Sequence, residues 1–167
     1  MLASNEEGKF LMSHLLPSMR VLEYGSGGST IEIAKQVQQL VSIEHDPSCY
    51  DHFKKIIPNN VNYILKQPKH GWESNQCKAL SDGTEEHFKE YIEAPLELGP
   101  FDIIFIDGRA RRDCAFMTPK MSKNGTVIFM HDFSLNPPVD RKNYLDCLKI
   151  LSIVSNVGTM YKFIIKI

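Results

Sequence analysis

Glu23 stands two positions ahead of Gly25 in the stretch "VLEYGSGGST", where Gly25, Ser26, Gly27, Gly28, Ser29 and Thr30 form a run of small residues before a helix-like pattern. Glycine lets a backbone approach a ligand closely, and the first N–H groups of a helix favour an anion. That combination suits a cofactor bearing a phosphate or a carboxylate. A dinucleotide turn requires G-x-G-x-x-G, but counting from Gly25 the third glycine position is Thr30. No Gly-Lys-Ser/Thr follows the turn, which also excludes a Walker-type phosphate loop. What remains is an acid, a Gly-x-Gly-Gly turn, and a second acid, Glu44, closing the next apolar run. On this reading a side chain placed at Gly25 would enter the ligand's path and leave the fold intact.

A second group of reactive residues closes two later apolar runs. "FDIIFIDG" (101–108) ends in Asp107, and "GTVIFMHDF" (125–133) carries His131 and Asp132. A carboxylate and an imidazole brought together can take a proton from a hydroxyl acceptor. Arg109, Arg111 and Arg112 follow Asp107 in "DGRARRD"; Arg109, next to the turn, is the choice for a carboxylate or phosphate on the acceptor. Trp72 either stacks on a base or anchors packing, and it stays unassigned. Cys49 with His52, and Cys114, have no metal-binding or nucleophilic arrangement and are read as packing residues.

These residues need elements to position them. Ser4 and Glu7 read as a capping box for a helix through Phe10, Leu11, His14 and Leu15, ended by Pro17, which covers the sheet. Residues 20–25 read as a strand. Ser29 with Glu32 marks a helix with inner face Ile33, Ala34, Val37 and Leu40. "LVSIEHD" is a second strand, after which Asp46 caps a helix with Pro47 at its first position and Pro58 at its end. "VNYIL" (61–65) is a third strand. The polar stretch 67–100 holds one helix around Phe88 and Ile92, and its irregular first half reads as a lid or substrate segment. The 101–108 and 125–133 runs read as central parallel strands, and the tail as two strands joined by a tight turn at the sheet's edge. Strands alternating with helices predict an α/β fold: a Rossmann-like, open, mostly parallel sheet flanked by helices, with a C-terminal antiparallel hairpin. Such sheets bind ligands beyond the carboxyl ends of their strands, where Glu23, Glu44, Asp107 and Asp132 all fall.

Composition narrows the function classes. The chain has 167 residues, 43% hydrophobic and 23% charged, enough for one domain spanning 1–167. With 19 basic and 20 acidic residues the net charge is -1, which gives no footprint for nucleic acid or an anionic membrane. A small-molecule partner is expected. The N-terminus has acids where a secretory signal has basic residues, and the four cysteines form no CxxC pair. The expected location is cytoplasmic. The C-terminal edge strand leaves room for a homodimer.

The motifs "VLEYGSGGST", "IEHD" and "FIDGRARRDCA" resemble the class I S-adenosylmethionine-dependent methyltransferases, and within them a group of small methyltransferase-like proteins. Their acid-x-Gly-x-Gly motif is matched by Glu23, Gly25 and Gly27, and their acid after the second strand by Glu44. The resemblance implies S-adenosylmethionine as cofactor, held by Glu23, Gly25, Ser26, Gly27, Gly28, Ser29, Thr30, Glu44 and His45. Glu44 would accept the ribose hydroxyls, and Glu23 would orient the methionine amino group. The family's adenine-contacting residue after the third strand is not evident; Gln67 or a residue near Trp72 stands in. Asp107, His131 and Asp132 would be catalytic, Arg109 substrate-binding, and the product a methylated small molecule, with a hydroxyl as the methyl acceptor. Catechol-type relatives hold a divalent ion at the positions of Asp107, His131 and Asp132. Here histidine replaces an oxygen ligand, which ranks a metal-free general base ahead of a metal. Other readings are a non-catalytic binding module, a nucleotide-binding oxidoreductase and an aminopropyl transferase.

Overall fold

The computed structural model describes residues 6–69 and 82–166. Its seven-stranded sheet comprises β1 (Arg20–Tyr24), β2 (Gln39–Glu44), β3 (Val61–Leu65), β4 (Phe101–Ile106), β5 (Ser122–Met130), β6 (Leu151–Val157) and β7 (Met160–Ile165). The spatial order is β3-β2-β1-β4-β5-β7-β6. The first five strands pair in parallel, and β7 inserts antiparallel between β5 and β6. This is a Rossmann-like, mostly parallel open sheet, with the expected hairpin at one edge and β6 outermost.

Side-chain alternation along the strands builds two apolar layers. Val21, Ile103, Phe105 and Phe129 face one side, where they meet Leu11 and Leu15 from the N-terminal segment and Ile33 and Ala34 of α2 (Gly28–Ala34). Leu22, Tyr24, Ile104, Ile106 and Ile128 face the other side, against Phe88, Tyr91 and Ile92 of α4 (Glu85–Glu93) and Cys114 and Ala115 of α5 (Arg111–Met117). The central runs are apolar throughout because both faces are covered. Helix α1 is Glu6–Met12, and α3 is Pro47–Phe53.

Three boundaries differ from the sequence reading. Helix α2 ends at Ala34: Val37 lies in the following turn and Leu40 already belongs to β2, because β2 pairs with β1 from Gln39 onward. The Asn60 side chain fixes this stop by donating to the carbonyls of Ala34 (2.8 Å) and Val37 (3.1 Å). The cap of α2 is Gly27 rather than Ser29, with Gly27 N–H donating to Thr30 Oγ1 at 2.9 Å, while Glu32 pairs with Lys35 at the surface. Helix α3 stops at Phe53, ahead of Pro58. The Asp46 cap matches expectation, accepting from Ser48 N–H (2.8 Å) and Cys49 N–H (2.9 Å). Ser4, Trp72, Cys77 and the rest of residues 70–81 of the 67–100 segment lie outside the described residues. No helix among the described residues is long and apolar enough to cross a membrane.

Candidate functional site

Beyond their last paired residues the central strands continue as a ledge. Gly25 N–H donates to Ile43 O (2.9 Å), Asp107 N–H to Tyr24 O (2.9 Å), and His131 N–H to Ile106 O (3.1 Å). These backbone bonds set the loops after β1, β4 and β5 side by side, so residues more than 100 positions apart share one rim. An open recess of about 550 Å³ at the amino ends of β1 to β3 is lined by Arg20, Gln38, Gln39, Asn59, Asn60 and Asn62. Its lining carries no acid or histidine, so it offers no acid–base chemistry.

The turn after β1 is held from beneath by Glu23. This carboxylate is fully buried and accepts from Ser29 Oγ (2.7 Å), Thr30 Oγ1 (2.6 Å) and Ser42 Oγ (2.7 Å). Burial pushes its pKa up to about 7, against the pull of those three hydroxyls. In this arrangement Glu23 shapes the turn, and its buried oxygens face protein on all sides. The two flanking glycines behave differently. Gly25 has φ +89°, and a Cβ there would lie 2.5 Å from the Cα of Gly108. It is needed for the close approach of the β1 and β4 turns, so a side chain there would strike backbone, not a ligand's path as the sequence suggested. Gly27 has φ 176°, and a Cβ there would meet nothing within 4 Å. Its surroundings are the open part of the turn.

Glu44, at the end of β2, is almost fully buried. One oxygen accepts from the N–H groups of His45 (2.7 Å) and Asp46 (2.8 Å); the other accepts from Ser26 N–H (2.9 Å) and from the Ser26 hydroxyl. Burial opposes ionisation, but the His45 ring, whose Nδ1 lies 3.0 Å from the carboxylate, outweighs it together with these donors and holds the carboxyl down to about 2. The Ser26 hydroxyl also reaches Tyr63 Oη at 2.7 Å, and the Tyr63 ring stacks on Tyr50 with centroids 4.5 Å apart. His45 packs edge-on against Phe88 and Tyr91, while Gln67 is exposed just past β3. Glu44 is therefore held as an anion at neutral pH, surrounded by hydroxyl and aromatic groups.

On the other half of the rim, Asp107, His131 and Asp132 come together as expected. Nδ1 of His131 lies 2.9 Å from Asp107 Oδ1, and Nε2 lies 3.2 Å from Glu7 Oε2 on α1. A carboxylate at each ring nitrogen favours the form in which both nitrogens donate, the imidazolium. The hydrogen bond that His131 donates to Asp107 raises the ring's pKa above its usual 6.5, against partial burial. Asp132 adopts a left-handed backbone, φ 58°. Burial acts to raise its pKa, but the charges of Arg111, His131 and Arg141 prevail and lower it.

The arginine that joins this acid cluster is Arg111, whereas the sequence pointed to Arg109 for acceptor binding. Arg111, only 8% exposed, donates Nε–H to Gly108 O (2.9 Å) and an Nη1–H to His131 O (2.6 Å), and pairs with Asp132 Oδ2 at 3.0 Å and Asp107 Oδ1 at 3.4 Å. Its own N–H donates to Asp82 Oδ2 at 2.7 Å. Arg109 stays partly exposed, and Arg112 pairs with Asp113 and Asp146 away from the rim. The ridge Asp107-Gly-Arg-Ala-Arg111 held the signal: a separation of four across a helix start brings the two charges onto one side. Glu7 had no such signal, being 124 residues from His131.

Residues 22–133 match the model of a family described as a methyltransferase domain. No curated protein sequence matches the chain. Among solved structures, a methyltransferase-like protein from Silicibacter pomeroyi DSS-3 superposes with TM-score 0.73 at 20% identity, covering 95% of this chain and 84% of that one. A TehB-like S-adenosylmethionine-dependent methyltransferase from Corynebacterium glutamicum gives TM-score 0.60 at 12% identity, over 96% and 87% of the two chains. Aeropyrum pernix fibrillarin, solved with natively bound S-adenosyl-L-methionine, gives 0.57 at 15% identity, over 89% and 67%.

Proposed function

The chain belongs to the methyltransferase-domain family, and from that premise we propose that it transfers a methyl group from S-adenosylmethionine to a hydroxyl of a small molecule. The observation that carries this reading is the pairing of an open glycine, Gly27, with an ionised acid, Glu44, at adjacent strand ends. The strand order reverses beside β1, which is where a doubly wound sheet opens a crevice for its ligand. Glu44 would hold the ribose hydroxyls through its ionised carboxylate. Gly27 admits the chain of the methionine moiety, and Glu23 holds the turn in shape through Ser29 and Thr30. His45 and the Tyr63–Tyr50 pair flank the nucleoside side.

The cofactor supplies an already activated methyl group, so the protein's share is alignment and proton handling. Alignment of two reactants is worth roughly 7–11 kcal/mol. Once deprotonated, His131 accepts the acceptor's hydroxyl proton at Nε2 while Asp107 steadies the ring through Nδ1. Glu7 must leave Nε2 for that transfer, and its contact there is the one observation favouring a non-catalytic binding module.

Calorimetry with S-adenosylmethionine, S-adenosylhomocysteine and NAD tests the cofactor. The two S-adenosyl ligands should bind and NAD should not. Glu44→Ala should weaken both by roughly 1.5–3 kcal/mol, the worth of hydrogen bonds to a charged group. Unchanged affinity in that variant, or preference for NAD, rejects the reading. Binding without turnover across a panel of hydroxylated acceptors would select the binding module.

A further inference from the structure

We propose that Arg111 takes the place of a metal ion at the Asp107–His131–Asp132 cluster, making this site metal-independent by construction. The three side chains offer ligand atoms all within 4.8 Å of one another, a spacing that can close around an ion. Yet the groups are already committed. Nη1 of Arg111 sits 3.0 Å from Asp132 Oδ2, and Nη2 sits 3.4 Å from Asp107 Oδ1. Arg141 adds a second guanidinium 3.3 Å from the same Asp132 oxygen. The ring nitrogen of His131 nearest the cluster is spent on Asp107.

Arg111 and Arg141 offset the charges of Asp107 and Asp132, which removes most of the pull these two carboxylates would exert on a divalent cation. Arginine cannot surrender its proton to relieve this. Nor can Arg111 step aside at low cost, because it also pairs the carbonyls of Gly108 and His131 at the ends of β4 and β5. Those two carbonyls would be stranded in a largely buried place. Arg111 is thus a positioning residue: it fixes the loops bearing Asp107 and Asp132 at one separation, as a bound ion would, and leaves His131 as the group that moves a proton.

Mn²⁺ titration followed by electron paramagnetic resonance tests this without any methyl donor, so its outcome is separate from that of the cofactor experiment. The wild-type chain should show no saturable Mn²⁺ binding. Arg111→Lys, which keeps the charge, should behave in the same way. Arg111→Met, if its melting profile shows a folded chain, should gain affinity by about a hundredfold or more, the order expected when a unit charge is removed ~4 Å from an ion in a half-buried site. Adding Asp107→Asn to that variant should abolish the gain. Saturable binding by the wild type that is lost in Asp107→Asn overturns the proposal, and so does a folded Arg111→Met chain that gains nothing. Should Arg111→Met fail to fold, the wild-type titration alone decides.

Discussion

The two glycines of the turn do opposite work, which makes them a sharp pair of probes. At Gly25 an alanine meets both a left-handed backbone and the Gly108 backbone 2.5 Å away. Strain of that kind costs about 1–3 kcal/mol before the clash is counted, so Gly25→Ala should lower the urea midpoint clearly. At Gly27 the backbone is extended and the space open. Gly27→Ala should leave stability within about 0.5 kcal/mol of wild type, yet weaken S-adenosylmethionine in a calorimetric titration. A Gly27 variant that binds normally would remove the turn from the cofactor site. His131 gives a pH test. Its hydrogen bond to Asp107 favours the imidazolium, so the base form appears only as pH rises through a pKa above 6.5. Methyl-transfer rate should climb over that range, and Asp107→Asn should move the inflection down toward 6.5. His131→Gln should lower kcat by roughly 10²–10⁴ with cofactor affinity unchanged.

At the scale of elements, α1 is fastened to the rim by one side chain. Glu7 accepts from Thr159 N–H (2.6 Å) and Thr159 Oγ1 (2.9 Å) in the β6–β7 turn, and its other oxygen faces His131. The same carboxylate thereby couples an N-terminal helix, a C-terminal hairpin and the proton-handling group. Glu7→Ala should loosen α1, read as faster amide hydrogen exchange across residues 6–12. It should also lower the His131 pKa, because a carboxylate contact that favours the charged ring is gone. An unaltered His131 titration by NMR would mean that the Nε2 contact carries no weight in solution.

The whole molecule carries a pH signature from its buried acid. Glu23 binds its proton more tightly when folded, at about 7 against an ordinary 4.5. A raised acid pKa means that folding loses free energy as pH rises from 4.5 through 7. His131 acts in the same direction above 6.5, since its extra stability is complete below the unfolded pKa and fades through the raised folded one. Denaturant midpoints should therefore fall from pH 5 to 8, and Glu23→Gln should flatten the lower part of that fall. Glu44 acts at the other end: its stabilisation is present above 4.5 and is lost as pH drops toward 2.

The succession of strands and helices, the hairpin and the rim acids were legible in the sequence because each depends on local patterning. Continuous apolar runs mark strands covered on both faces, and an acid at or near the end of such a run marks where the chain turns out of the sheet. Asp46 announced its cap through Pro47 at the next position, for the same local reason. The stop of α2 was not legible, because the side chain that enforces it, Asn60, arrives from the turn that leads into β3. The same holds for the site. Types and spacing located Glu23, Glu44, Asp107, His131 and Asp132, but their states depend on partners set by the fold. Three hydroxyls and full burial turn Glu23 inward, and four donors keep Glu44 ionised. Only packing brings Glu7 to His131 and sends Arg111, rather than Arg109, between two carboxylates. Periodicity along the chain reports which face a residue occupies; the sign and size of the field at that face belong to residues that only the tertiary structure delivers.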